Sequence, residues 1–137
     1  KIENKRHPHY LQPGAVARSN ASPTIVMAKD KTYAIGSTGS ERMISGLFET
    51  LVRLRSQNGF DAVRAPRLHC TPKGEVQYEP GRFSKAQLLA LKHAGFTLAP
   101  YSADWSFSAG GLQLACRENS RQWAVADPRR DGAAFSC

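Results

Sequence analysis

Apolar and polar residues first fall into a regular pattern after Ser22. Two β-rich runs, Thr24–Met27 and Thr32–Ile35, flank the polar Lys29-Asp30-Lys31 and predict a hairpin. The second run enters a Gly-rich turn in which Thr38 and Glu41 have the spacing of a capping box. The period then lengthens to three and four. Met43, Ile44, Leu47, Phe48, Leu51 and Leu54 share one face of a predicted helix, with Arg42, Glu49, Arg53 and Arg55 opposite. Leu47, Phe48 and Leu51 are expected to be buried against a sheet, and Asn58-Gly59 to end the helix.

FDAVRAPRLHC reads as a short helical turn stopped before Pro66, followed by a strand entry. SKAQLLALKHAG predicts a second helix, capped by Ser84 and Gln87 and stopped at Gly95, with a strand over Phe96–Ala99. Leu112, Leu114 and Cys116 alternate with their neighbours, as do Trp123 and Val125. The polar Arg117–Arg121 stretch between them predicts a second hairpin, with Trp123 and Val125 on one face. Residues 1–20 follow neither period and contain Pro8, Pro13 and Gly14, which predicts an extended arm ahead of a folded body over 21–137. Helices mixed with hairpins favour an α+β fold over a parallel α/β sheet.

With 137 residues, 41% of them hydrophobic, the chain suits one folded domain and not a disordered segment. No apolar run approaches the length of a membrane span. The net charge of +8 raises the question of a nucleic-acid partner. Basic residues, however, are interleaved with acids along the chain, and their densest cluster, Asn4–His9, lies in the arm. Without an aromatic–basic alternation for stacking bases, no nucleic-acid partner is expected.

Cys70, Cys116 and Cys137 show no C-x-x-C spacing, so no zinc site is expected, and which pair would form a disulfide stays open. His7 and His9 flank Pro8 without a third ligand nearby, and neither a metal nor a cofactor is predicted. His69 and Cys70 are adjacent on a strand and point to opposite faces, a structural arrangement. His93, near a helix C-terminus, suits the helix dipole. Arg129 and Arg130 either face a substrate carboxylate or, as is expected, pair with Asp127 or Asp131, and Trp105 is either a lid or a packed anchor.

The Gly-rich turn is where chemistry concentrates. GSTGSERM lacks both the spacing and the lysine of a P-loop. A dinucleotide turn needs three glycines at fixed offsets, and Gly36 and Gly39 stand alone. Two readings survive: a strained strand-to-helix turn relieved by glycine, or backbone amides that stabilise a developing oxyanion.

The residues around the turn carry a family pattern. SPTIVMAKDKTYAIGSTGSERMI resembles the γ-glutamyltranspeptidase segment that reads approximately Ser-Ser-Met-Ser-Pro-Thr-Ile-Val, a polar turn, then Gly-Ser-Pro-Gly-Gly-Ser-Arg-Ile. DAVRAPRLH, VQYEPGRFS, a helix ending HAGF, and ADPRRDGAA follow in the same order, so the resemblance runs from about Pro13 to the C-terminus.

The resemblance implies an N-terminal-nucleophile hydrolase, in which two antiparallel sheets are stacked between helical layers. It implies self-cleavage of a precursor, exposing a Thr whose own α-amine acts as base. By position, it assigns Gly39 and Ser40 to the oxyanion hole and Ser19 and Asn20 to the substrate's carboxylate. Asn20 stands where the family has a second Ser, and Ser40 where it has a second Gly. An amide still donates to a carboxylate, with different size and geometry, and a Ser amide still donates provided the turn does not demand positive φ.

The 18 residues before Ser19 match nothing of the family's nucleophile region, and Lys1 offers no hydroxyl or thiol. The expectation is therefore the C-terminal portion of the small subunit of a transpeptidase-like amidohydrolase. Its nucleophilic Thr would lie on an upstream segment or large subunit, and its substrate would be a small γ-glutamyl compound of the glutathione type. This chain alone should not turn over substrate. A catalytically silent homologue that binds a partner, or a related acylase, is the alternative. The family pattern also suggests a periplasmic or extracellular setting.

Overall fold

A computed structural model describes residues 4–7, 10–16 and 19–135. Its principal element is a four-stranded antiparallel sheet of order β1-β2-β6-β7, built from β1 (Thr24–Met27), β2 (Lys31–Thr38), β6 (Gly111–Glu118) and β7 (Arg121–Ala126). Both predicted hairpins are present. Thr24 lies opposite Ile35 in the first, and Leu114 opposite Val125 and Cys116 opposite Trp123 in the second. Period-two alternation places Tyr33, Ile35, Leu112, Leu114, Cys116 and Val125 on one buried face, joined by Trp123.

That face is covered by α1 (Arg42–Arg53) and α2 (Gly59–Arg64). Leu47 is buried and Leu51 packs against the core, but Phe48 is 66% exposed and does not meet the sheet as expected. The helix approaches through its small positions instead, burying Gly46 and Thr50 beside Leu47. An apolar stripe wider than the contact leaves Ile44, Phe48 and Val52 outside it, at successive i, i+4 positions.

Asn58 does not end α1. Its side-chain Oδ1 accepts the Asp61 amide at 2.9 Å and caps α2. Gly59 lies beneath Trp123, where a methyl group would come within 2.5 Å of the indole ring.

A second, three-stranded sheet combines β3 (Leu68–Cys70), β4 (Glu75–Tyr78) and β5 (Thr97–Pro100). β3 and β4 are antiparallel, whereas β4 and β5 are parallel, because α3 (Lys85–His93) crosses between them. α3 carries the predicted capping box of Ser84 and Gln87, and Gly95 follows it at positive φ. The described residues of the arm form neither helix nor strand, and no described helix is long and apolar enough to cross a membrane.

Among the described residues, no helix or strand covers the opposite face of the four-stranded sheet. Ile25 and Met27 are 64% and 82% exposed, and Ala34, Gly36 and Ala115 lie open beside them. A hollow of about 690 Å³ runs along this face, bordered by Ile25, Ala34, Gly36, Ala115 and Ala124 and by Ala133 and Ala134 of the C-terminal segment.

Candidate functional site

Four chain segments meet at one end of the four-stranded sheet. Thr24 pairs with Ile35, so the chain enters β1 at the end where β2 leaves for the Gly39–Ser40 turn. Thr38 pairs with Gly111, and Gln113 with Ala126, so β6 begins and β7 finishes at that same end. Ser19 and Asn20 precede β1, Gly110 precedes β6, and Arg129 and Arg130 follow β7.

The turn is set by two left-handed residues. Gly39 has φ of 122° and Ser40 φ of 57°, so this turn does demand positive φ where a Ser stands. The Gly39 carbonyl accepts the Arg42 amide at 3.1 Å, and the Ser40 carbonyl accepts the Met43 amide at 3.1 Å. Among the described residues, the amides of Gly39 and Ser40 donate no hydrogen bond. Ser40 is exposed and Gly39 half-buried, and neither borders the hollow along the opposite sheet face.

The expected capping box is absent. Glu41 occupies the N-cap position of α1 and no side chain caps the helix, while the Thr38 hydroxyl accepts Arg130 Nε at 3.1 Å. Side-chain competition for the turn amides therefore does not arise. Ser19 is exposed, and its Oγ accepts the Ala21 amide at 3.0 Å. Asn20 is exposed too, and its carbonyl accepts the Ser22 hydroxyl at 3.1 Å.

Behind the turn lies a buried charge network made from the motif residues that carried the family pattern. Arg129 forks onto Glu79, with Nε to Oε1 and Nη2 to Oε2 both at 2.6 Å, and reaches Asp127 Oδ1 at 3.1 Å. Arg67 Nη2 meets Asp127 Oδ2 at 2.6 Å. The remaining acceptor capacity is filled by backbone amides: Leu112 and Arg129 donate to Asp127, and Arg67 and Ser106 donate to Glu79. Such saturation is what makes buried charge tolerable. Burial opposes the Arg129 charge, but Glu79 and Asp127 outweigh it and raise its pKa; at Arg67 burial prevails over Asp127 and lowers it.

The network also fixes the turn. Arg67 Nη1 holds the Gly110 carbonyl at 3.4 Å, and Gly110 packs directly against Gly39. Trp105 is 38% exposed and packs against arginines: Arg82 stacks 3.4 Å from its ring centre, with Arg129 at 5.0 Å and Arg64 at 5.1 Å.

The expectation for the two adjacent arginines holds for one only. Arg129 pairs with Asp127, whereas Arg130 has no carboxylate partner among the described residues. His69 and Cys70 do point apart. His69 is buried with Nδ1 2.8 Å from Ser45 Oγ, and Cys70 is exposed. His69 Nε2 is buried without a hydrogen bond, 3.9 Å from Glu41. Burial, then nearby Arg42, lowers the His69 pKa, with Glu41 opposing. Nothing in the local pattern announced this contact between α1 and β3. Cys137 and His9 lie outside the described residues, and the described residues contain no cluster of metal ligands.

The family model described as gamma-glutamyltranspeptidase matches residues 1–137. The human glutathione hydrolase 5 proenzyme is 31% identical over 127 residues, covering 89% of this chain and 21% of that protein. Its mouse counterpart is 29% identical, over 89% of this chain and 22% of its own length. The chain thus spans about a fifth of these curated relatives. A γ-glutamyltranspeptidase from Pseudomonas nitroreducens complexed with L-DON superposes with a TM-score of 0.78 at 23% identity, covering 95% of this chain and 68% of that one. The transpeptidase CapD from Bacillus anthracis gives 0.76 at 22% identity, over 89% and 73%. These likenesses give the fold, an α+β arrangement of hairpin-built sheet and helices. Matched along its whole length by the family model, the chain belongs to the γ-glutamyltranspeptidase family.

Proposed function

We propose that this chain is the C-terminal portion of the small subunit of a γ-glutamyltranspeptidase-like amidohydrolase acting on glutathione-type substrates. The observation that carries the reading is the pair of adjacent amides at Gly39 and Ser40, unbonded among the described residues and held at the sheet end that also receives Ser19 and Asn20.

In this reading, a Thr on an upstream segment attacks the γ-carbonyl carbon while its α-amine takes the hydroxyl proton. Negative charge collects on the carbonyl oxygen, and the Gly39 and Ser40 N–H groups donate to it. Collapse, with the α-ammonium passing that proton to the departing nitrogen, releases the amine leaving group and leaves an acyl ester on Thr, which water or an acceptor amine then opens. Ser19 and the Asn20 amide hold the carboxylate of the γ-glutamyl group. Two apolar surfaces fit a chain that packs within a larger enzyme: the sheet face around Ile25 and Met27, and the Ile44–Phe48–Val52 stripe of α1.

The silent-homologue reading draws on Ser40, whose side chain occupies a left-handed position that suits glycine better. One experiment separates the two. The full-length protein, with its upstream segment, is assayed for γ-glutamyl anilide hydrolysis with an ordinary peptide bond or a backbone ester at position 40. The ester removes the N–H without demanding a new φ. A loss of roughly 100- to 1,000-fold in kcat is expected for one lost oxyanion donor. An inactive full-length protein would favour the silent homologue, and unchanged turnover by the ester would end the oxyanion reading.

A further inference from the structure

Each carboxylate oxygen of the buried charge network already accepts two hydrogen bonds. Arg129 Nε and the Ser106 amide donate to Glu79 Oε1, and Arg129 Nη2 and the Arg67 amide to Oε2. The Arg129 amide and Nη1 donate to Asp127 Oδ1, and the Leu112 amide and Arg67 Nη2 to Oδ2. A carboxylate oxygen has room for about two such bonds. The two acids are therefore spent on Arg67 and Arg129.

Two further arginines border the network and are left over. Arg82 ends the 3₁₀ turn Pro80–Arg82 and gives Nη2 to the Arg64 carbonyl at 2.6 Å. Its Nη1 is buried without a hydrogen bond, 3.9 Å from Glu79 Oε2. Arg64, the last residue of α2, is half-buried, and among the described residues its guanidinium meets no carboxylate. The acids nearest in the chain are engaged elsewhere: Asp61 with Asn58, and Asp104 with the Gly81 amide at 2.8 Å.

Aromatic rings hold both side chains in place. Arg64 lies over Phe60 and Trp105, 4.8 and 5.1 Å from their centres, and Arg82 over Trp105 at 3.4 Å. Such contacts use the flat face of a guanidinium and leave its N–H edge available. Burial lowers the Arg82 pKa more than Glu79 raises it, and Arg129 and Arg64 lower it further. Phe60 is 55% exposed, so the cluster opens at the surface.

We propose that Arg64 and Arg82 form a binding site for a small dianionic oxyanion, a phosphate or a dicarboxylate. Four guanidiniums against two carboxylates leave two positive charges, which a dianion matches. Its oxygens also supply the acceptors that the Arg82 Nη1 and Arg64 donors lack. Both forks are ordered before the ligand arrives, which lowers the cost of capture. The bound anion would tie together α2, the Pro80–Arg82 turn and the Trp105 loop. The inference stands apart from the reading of the Gly39 and Ser40 amides.

The test is isothermal titration calorimetry of the full-length protein at constant ionic strength set with potassium chloride. Inorganic phosphate, succinate and acetate are the probes. Saturable binding of phosphate or succinate is expected, with acetate weaker than either; the tighter dianion identifies the shape that the site accepts. Arg64→Gln and Arg82→Gln should each weaken binding by roughly 10- to 100-fold, as loss of a charge-assisted hydrogen bond commands. Arg121→Gln, which removes an exposed arginine from β7, should leave it unchanged. Without saturable dianion binding by the parent the proposal falls before any variant is made. That includes the case in which an acidic side chain of the upstream segment already occupies the two arginines. Unchanged affinity in a folded Arg64→Gln protein overturns it as well, whether or not Arg82→Gln folds. An equal loss in Arg121→Gln would reduce the binding to diffuse attraction and overturn the site.

Discussion

Gly39 and Gly110 meet backbone to backbone. A methyl group on Gly39 would stand 2.7 Å from the Gly110 Cα, and one on Gly110 would stand 2.8 Å from the Thr38 carbonyl oxygen. Both residues also have positive φ, at 122° and 82°. Two independent demands therefore exclude side chains, and the glycines are structural whatever the turn amides do. Gly110→Ala should lose about 2–5 kcal/mol, combining left-handed strain with overpacking. Urea unfolding measures it, and a loss under about 1 kcal/mol would contradict the close approach. Because φ of 122° lies far outside what proline allows, Gly39→Pro is not a clean probe of the amide.

Ser40 presents the opposite case. Its φ of 57° is unfavourable for an L-residue with a side chain, and the residue is exposed. Ser40→Gly should stabilise the protein by about 1 kcal/mol, raising the denaturant midpoint without changing the slope. A lower midpoint would show that the hydroxyl has a role the geometry does not reveal.

Arg129 neutralises two carboxylates that have no exposure to water, Glu79 and Asp127. Arg129→Met leaves that charge buried with only Arg67, the more distant Arg82 and backbone amides to meet it. A loss of about 3–5 kcal/mol is expected. Thermal or urea unfolding would show it, and a variant as stable as the parent would mean the network reorganises.

His69 gives the fold a pH dependence. Its imidazole titrates below the ordinary range because of burial, then Arg42. The unfolded chain therefore binds its proton more readily than the folded one. This contribution to stability is fully present above about pH 6.5, the ordinary histidine value, and is lost as pH falls through the lower, folded value. Unfolding free energies at pH 7.5 and 5.5 should converge in His69→Gln relative to the parent. An identical pH slope in both proteins would exclude His69 as the source.

The hairpins, α3 with its cap, and the Trp123–Val125 face were all legible in the sequence, because each follows from short-range periodicity or from a residue and its near neighbours. Asn58 caps α2 rather than ending α1, and the local pattern is blind to this for the same reason: an Asn-Gly pair suits both a helix end and a helix start, and only Asp61 in place decides. Phe48 failed differently. Its period is correct, but α1 lies against the sheet through Gly46 and Thr50, and how closely two elements approach is set by the small residues between them.

The candidate site divides along the same line. The residue types and order around Ser19, Asn20, Gly39 and Ser40 resemble the family pattern in the chain itself, although Asn20 and Ser40 stand where that pattern has Ser and Gly. Separating Arg129 from Arg130 required the tertiary structure. Their sequence contexts are nearly identical, yet one faces Glu79, fifty positions earlier, and the other Thr38, ninety-two positions earlier. Local pattern determines which way a strand or helix presents its residues, whereas the partner of a charge depends on which distant segments the packing of two sheets and α1 brings to it.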